Sequence, residues 1–411
     1  MNTLKTLLIS AISILPFLSS CNNSVEDNNT QQKLDAEIVN LHRTLENTLG
    51  HDVPSLSVLI DGPRGTYFTS SAGKNGKKIT ADTYFRFASN TKNFTSAAIL
   101  NMMEDGWLDI DDLIINKIPT SNIPYVPAAP EWAFPKKNQI TIKQLLQHNA
   151  GVYDVSNDTV PGFNGKTYVE YMLDNYPNYQ FSATDLVHQL TLKNLTYGQP
   201  NAVYHYSNTG YTILGEIISR VYSLRSAQSK TYGDYVKDKI YGSSSPVPLN
   251  LHFVESATDQ QLPTPYVTGM IQYPDEVTIS DLINASPHVA EGNGVGTMSQ
   301  LNRYIRTLMK GENILTKNTV TRMQTERGVA NTPQTPYALG CSNHPILGYG
   351  HNGATEGYLS TMMYDPKTDC SVIVVIPYWD LTEGMTSLGK CMEVLVKAGL
   401  VAREAVGYPE T

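Results

Sequence analysis

The sequence predicts an α+β fold: an antiparallel sheet built from both chain ends and flanked by terminal helices, with a mainly helical domain inserted between them. Three observations carry this. Strand patterns fall near the two ends, at residues 55–70 and 357–377. Helical periodicity precedes the first and follows the last. The long middle is rich in Pro, Asn and Tyr, with helical pieces among loops.

Taken in order, the first twenty residues stand apart. Lys5 is their only charge, the run over 7–18 is almost wholly apolar, and Pro16 interrupts it. That run is shorter than the ~20 residues a bilayer span needs, and residues 1–20 read as a secretory signal peptide. Residues 21–33 are polar and read as a tether. From 31 to 49, Leu34, Ile38, Leu41, Leu45 and Leu49 recur at helical spacing, and Gly50 ends the run. Residues 55–60 alternate as a strand, 61–65 carry turn chemistry, and 66–70 return as its hairpin partner. A helix is predicted over about 90–105, with apolar residues on more than one face, which marks it as buried; Gly106 fits its C-terminal cap. In the middle one helix is clear, at about 210–222, with Glu216 and Arg220 four apart on its polar face. Leu301, Tyr304, Ile305, Leu308 and Met309 mark another. Strands at 357–364 and 370–377 and a last helix at about 385–401 complete the pattern. The domain reading is a sheet domain with terminal helices at 34–108 and 288–402, around an inserted helical domain at 109–287.

Of the 411 residues, 41% are hydrophobic and 17% charged, as in an ordinary globular protein. The net charge of −8 leaves no basic footprint for nucleic acid. Cys341, Cys370 and Cys391 follow Cys21; Cys341 and Cys370 fall on neighbouring predicted strands, and pairing or three reduced buried thiols are both open. No metal-ligand spacing appears. Gly292-Asn293-Gly294-Val295-Gly296 lacks the spacing of a nucleotide loop and reads as a loop before a helix, so no cofactor is expected.

A serine hydroxyl needs a neighbouring base to act as nucleophile. Ser-x-x-Lys on a helix supplies one, because residues three apart share a face. The tetrad occurs three times, as Ser71/Lys74, Ser89/Lys92 and Ser387/Lys390. The first falls in a Gly/Lys turn that fixes nothing, and the last in the C-terminal helix, where an exposed pair is the plain reading. Ser89 alone sits where a strand segment meets a buried helix. Its amide is free to donate there, and the helix dipole and burial together are expected to lower the pKa of Lys92. Tyr206-Ser207-Asn208 precedes the clear middle helix, and a tyrosine beside a lysine can serve as base and then acid; Tyr176-Pro177-Asn178 shows that Tyr-x-Asn also recurs without such context. His351-Asn352-Gly353-Ala354 opens a strand, where glycine lets a substrate approach and the strand edge offers donors to an oxyanion.

Together these three sets, with the flanks Phe85-Arg86-Phe87-Ala88, Leu145 to Gly151, Tyr206 to Gly215 and Gly350 to Tyr358, resemble the penicillin-recognising serine hydrolases: class C β-lactamases, serine D-alanyl-D-alanine carboxypeptidases and related esterases. The resemblance covers about residues 35–400 and implies the β-lactamase/transpeptidase-like fold. It implies that Ser89 attacks a carbonyl to form an acyl-enzyme, that Lys92 and Tyr206 move the proton, and that the amides of Ser89 and Ala354 form the oxyanion hole. Asn208 would hold the substrate amide; His351, Asn352 and Gly353 would meet its carboxylate end. Two departures bear on specificity. His351 stands where many members carry Lys, and is largely neutral at pH 7 with a reference pKa of ~6.5. Asn352 replaces the usual Thr or Ser, losing a hydroxyl. His148 reads as structural. The expected function is a D-alanyl-D-alanine carboxypeptidase-like hydrolase of D-amino-acid or cell-wall peptides. The alternatives are a class C-like β-lactamase or esterase on the same fold, and a catalytically silent lipoprotein that binds cell wall. The expected partner is a small peptide, ester or β-lactam. Leu18-Ser19-Ser20-Cys21 resembles the lipobox of bacterial lipoproteins, which implies an exported protein of the periplasm or cell envelope, anchored by lipid on Cys21.

Overall fold

The computed structural model of the chain describes residues 21–74 and 76–408, the first seven by their backbone alone. The expected signal over 1–20 lies outside the described residues, as does the side chain of Cys21.

The first helix, α1, spans Cys21–Leu49, starting ten residues before the expected position and taking in the stretch expected to be a tether. Leu34, Ile38, Leu41 and Leu45 anchor it by burial. Once that packed segment exists, each further turn adds hydrogen bonds without a new nucleation cost, so the polar stretch continues the helix. The hairpin follows as β1 (Ser55–Gly62) and β2 (Gly65–Ala72). Gly62 pairs with Gly65 across a two-residue turn, and Gly65 holds φ +116°, which a side chain would resist. Next come α2 (Thr91–Glu104), α3 (Asn208–Ser226) and α4 (Met298–Lys310). The chain returns to the sheet as β3 (Ser342–His344), β4 (Gly348–Thr355), β5 (Tyr358–Asp365) and β6 (Cys370–Ile376), and ends in α5 (Met385–Ala405).

These six strands form one antiparallel sheet in the order β2-β1-β6-β5-β4-β3. The two chain ends meet at its centre, where β1 pairs with β6, Ser57 opposite Val375 and Asp61 opposite Ser371. All seven residues of β6 are buried, because both faces of the sheet are covered. Val372, Val374 and Ile376 face α1 and α5, in a core with Val58, Ile60, Leu395 and Ala398. Ile373 and Val375 point the other way, into the larger core with Phe94, Leu301 and Ile305. Each such Val or Ile contributes roughly 1.5–3 kcal/mol by leaving water.

One further expectation changed, and one open alternative closed. The 292–296 segment is partly a strand: Gly294–Gly296 pairs with both Phe85–Arg86 and His252–Phe253. A Cβ on Gly294 would sit 2.0 Å from the Phe87 ring, so glycine lets that ring pack flat against the strand. Cys341, Cys370 and Cys391 are all free and buried.

Candidate active site

The small sheet delivers Ser89. Phe87 is fixed by stacking on Phe94 at 5.6 Å and by its N–H donating to the Gly294 carbonyl. Ala88 then takes φ +51°, a left-handed conformation unusual outside glycine. The chain passes through a 3₁₀ turn, Ala88–Asn90, into α2. Ser89 thus stands in the turn ahead of the helix, partly exposed. Lys92 lies in the first turn of α2, which is buried on all sides from Thr91 to Leu100. Its polar side chains are satisfied there: Thr95 Oγ1 donates to the Ala290 carbonyl and Ser96 Oγ to the Leu339 carbonyl, both at 2.6 Å.

Lys92 is wholly buried, and its Nζ lies 3.0 Å from Ser89 Oγ. It also reaches Asn208 Oδ1 at 2.7 Å, the Glu291 carbonyl at 2.9 Å and Glu291 Oε2 at 3.2 Å. Tyr206 completes the group. Its ring lies 4.8 Å from Lys92 Nζ, and its phenol interacts electrostatically with Lys92 and Ser89. The expected lowering of the Lys92 pKa is not the outcome. Burial does pull it down, but Tyr206 and Glu291 beside it more than offset that, and the net shift is upward. Burial in turn raises the Tyr206 phenol against the opposing pull of Lys92. The resting site therefore holds an ammonium, a neutral phenol and the Glu291 carboxylate, which Lys92 and His288 keep ionised despite burial.

Ser207 caps α3 by accepting from the Gly210 amide, which fixes Tyr206 and Asn208 on either side of the cap. The Asn208 amide donates to Asp154 Oδ2 at 2.8 Å. Because its side-chain oxygen is taken by Lys92, the Asn208 NH₂ group is left to donate. Burial pushes the Asp154 carboxyl up to about 6, against the bonds it accepts from the Asn208 and Ser156 amides.

The third motif lies on β4, packed against the Ser89 turn. A Cβ on Gly353 would sit 2.2 Å from the Phe87 carbonyl, so only glycine lets the strand come this near. Ala354, next along, is exposed. Asn352 Oδ1 accepts from Thr361 Oγ1 at 2.8 Å, which leaves its NH₂ to donate. His351 differs from the expectation that it meets a substrate carboxylate. It is buried, Nδ1–H donates to the Asn352 carbonyl, and Nε2 accepts from the Tyr337 hydroxyl at 3.0 Å. Burial first, and then the Lys92 charge, lower it to about 3, so it is neutral and both ring nitrogens are engaged. The His148 ring lies 4.2 Å from that of Tyr206, tilted by 35°, and its Nδ1 accepts from the Ser207 amide, contacts that help to set the Tyr206 ring.

A family model described as Beta-lactamase matches residues 34–383. The chain belongs to the beta-lactamase family. It is thereby one of the penicillin-recognising serine hydrolases. The fold matches solved neighbours of that group. One is a D-amino acid amidase from Ochrobactrum anthropi SV3, with TM-score 0.67, 21% identity and coverage of 90% of this chain and 98% of that one. Another is a penicillin binding protein from Bacillus halodurans, with TM-score 0.60, 18% identity and coverage of 86% and 98%. Protein flp of Staphylococcus aureus is 28% identical over 200 residues, 47% of this chain and 34% of that protein. The matched stretch is thus about a third of that relative's length.

Within this beta-lactamase-family site, sequence reasoning missed Glu291, Asp154 and Tyr337. Glu291 stands one residue before the Gly292 to Gly296 run, and an acid next to a run of small residues is the signal the sequence carries. Asp154 follows Gly151 of the Leu145 to Gly151 loop by three residues. Tyr337 has no signal in the sequence; only the fold brings it to His351.

Proposed function

We propose that this serine hydrolase forms an acyl-enzyme at Ser89 and cleaves amide bonds of D-amino-acid peptides or amides, in the manner of a D-alanyl-D-alanine carboxypeptidase or a D-amino acid amidase. The observation that carries the reading is the convergence of Ser89 Oγ on Lys92 Nζ at 3.0 Å with the Tyr206 ring 4.8 Å from the same nitrogen. Once the Lys92/Tyr206 pair has given up one proton, Ser89 Oγ attacks the carbonyl carbon while its own proton passes to that pair. The same pair then protonates the leaving nitrogen. The amides of Ser89 and Ala354 stabilise the oxyanion, and Asn208 and Asn352 donate to the substrate through their NH₂ groups. The D-amino-acid part of the reading is supported by the motif set and by the amidase named among the fold's neighbours.

One observation separates the two forms of this activity. A carboxypeptidase binds a terminal carboxylate, and His351, neutral and engaged, provides no positive charge for it. An uncharged amide or ester end fits this strand better. The test offers a peptide ending in two D-alanines beside its C-terminal amide and measures D-alanine and D-alanine amide release. The amide is expected to be the faster substrate, and Ser89→Ala to lower both rates by at least about a thousandfold. Wild-type protein that releases neither product, or a Ser89→Ala variant that keeps its rate, overturns the proposal.

A further inference from the structure

None of the three motifs contains Glu291, yet it makes the ion pair with Lys92. Side-chain exposure is 0% for Lys92 and 2% for Glu291. A buried pair adds little stability, because desolvation offsets attraction; beside a nucleophile it points to chemistry. The proton count points the same way. An ammonium carries three N–H donors. Ser89 Oγ, Asn208 Oδ1, the Glu291 carbonyl and Glu291 Oε2 all lie within 3.2 Å of Nζ. Asn208 Oδ1 and the carbonyl can only accept, so they hold two protons. The third is contested by Ser89 and the Glu291 carboxylate. The backbone agrees: Ala290, just before Glu291, has φ +69°, as Ala88 just before Ser89 has φ +51°. Thr95 Oγ1 and Asn293 Oδ1 hold Ala290 in that conformation, and strain kept in this way gathers at functional sites.

We propose that Glu291 stores the Lys92 proton during acylation, so that the base is a Lys92–Glu291 pair with Glu291 as its positioning residue; the inference rests on the acyl-enzyme reading. The Lys92 ammonium passes a proton to Glu291 Oε2, giving a neutral amine and a carboxylic acid. The amine takes the Ser89 Oγ proton as Oγ bonds to the carbonyl carbon, and the carbonyl oxygen becomes the oxyanion. As the oxyanion collapses and the C–N bond breaks, Lys92 gives that proton to the leaving nitrogen through Tyr206. Glu291 then returns its stored proton to Lys92. His288 Nδ1 donates to Glu291 Oε1 and holds the carboxylate from the other side. The titratable groups facing Glu291 are Lys92, His288, Tyr206 and Asp154, and Glu356 of the β4–β5 turn faces His288.

Glu291→Gln keeps the shape and cannot take a proton. The assay follows the pH profile of kcat/KM for D-alanine p-nitroanilide, with intact mass of the acylated protein. In the wild type the acid limb reports protonation of the pair; in Glu291→Gln, Lys92 itself must lose a proton. At neutral pH kcat is therefore expected to fall at least about tenfold with KM little changed. The acid limb should move to higher pH, with activity recovering in alkali, and Glu291→Asp should restore part of the rate. His288→Leu, at a partly exposed residue, removes the donor to Oε1 and should move the limb the same way by less; it decides the matter if Glu291→Gln does not fold. An unmoved limb, or equal loss in Glu291→Gln and Glu291→Asp at every pH, overturns the inference while a wild-type Ser89 adduct still upholds the acyl-enzyme. No Ser89 adduct in the wild type overturns both.

Discussion

Ser387 and Lys390 lie near the start of α5 with the spacing of Ser89 and Lys92, and the two pairs do different work. Ser387 Oγ accepts from the Glu383 amide at 3.1 Å and faces the Asp380 and Gly384 carbonyls at 3.0 and 3.1 Å. Lys390 turns to Glu383 at the surface, 2.7 Å away. At the other site Lys92 is enclosed by α3, the Glu291 segment and the Tyr206 ring, and its nearest partners include the serine. The contrast teaches that three-residue spacing makes a pair possible, and enclosure of the amine makes it reactive. An exposed lysine finds water or a surface acid first, and such pairs contribute little.

The largest effect that tests this contrast is on catalysis. Lys92→Ala should lower kcat/KM on the order of a thousandfold, and should also lower Tm, since Glu291 loses its buried counter-charge. Lys390→Ala should change neither. Amine-release kinetics and thermal denaturation check both variants; equal losses of activity in the two would end the argument from enclosure.

A second prediction uses the same enclosure on a group it leaves neutral. His351 has a folded pKa of about 3 against an unfolded value of ~6.5. Its contribution to stability is fully present above the unfolded value and is lost as pH falls toward the folded one, at up to about 1.4 kcal/mol per pH unit. Asp154 runs the other way. Its carboxyl is raised to about 6, so its contribution is fully present in acid and is lost as pH rises from 3.8 toward 6. The two partly cancel in the wild type. His351→Gln removes one of them, so acidification from neutral pH should destabilise the variant less than the parent in urea titrations. Parallel curves for the two proteins would show that His351 already titrates in the fold.

How far this site could be read from sequence follows from what fixes each part. The central sheet was legible because β1 opens with strand alternation and β6 is an apolar run apart from Ser371, each followed or preceded by turn residues. Ser89, Lys92 and Tyr206 were legible because a strand-to-helix junction and a helix cap leave local marks. The Lys92 charge state was not. It depends on Glu291, 199 residues away in the chain, and no local pattern announces a long-range ion pair. The engagement of His351 was hidden for the same reason, since Tyr337 reaches it through the fold of a loop. The start of α1 was misplaced because apolar periodicity marks only the packed part of a helix.

The smallest effect expected is at Ser387 itself. Its side chain is fully buried, so Ser387→Ala leaves the Glu383 amide without that acceptor and removes a donor that faces two carbonyls. A lost buried hydrogen bond of this kind costs about 1–2 kcal/mol, which should appear as a small drop in Tm. Activity should not change, because the hydroxyl serves the turn ahead of α5 and the amine three residues on faces another way. Ser387→Thr gives the complementary reading: it keeps the hydroxyl and adds a methyl in a closed space, so any destabilisation there measures packing alone. If Ser387→Ala instead removed hydrolysis while Ser89→Ala did not, the chemistry would lie at the helix and not at the strand junction, and enclosure of Lys92 would have no bearing on it.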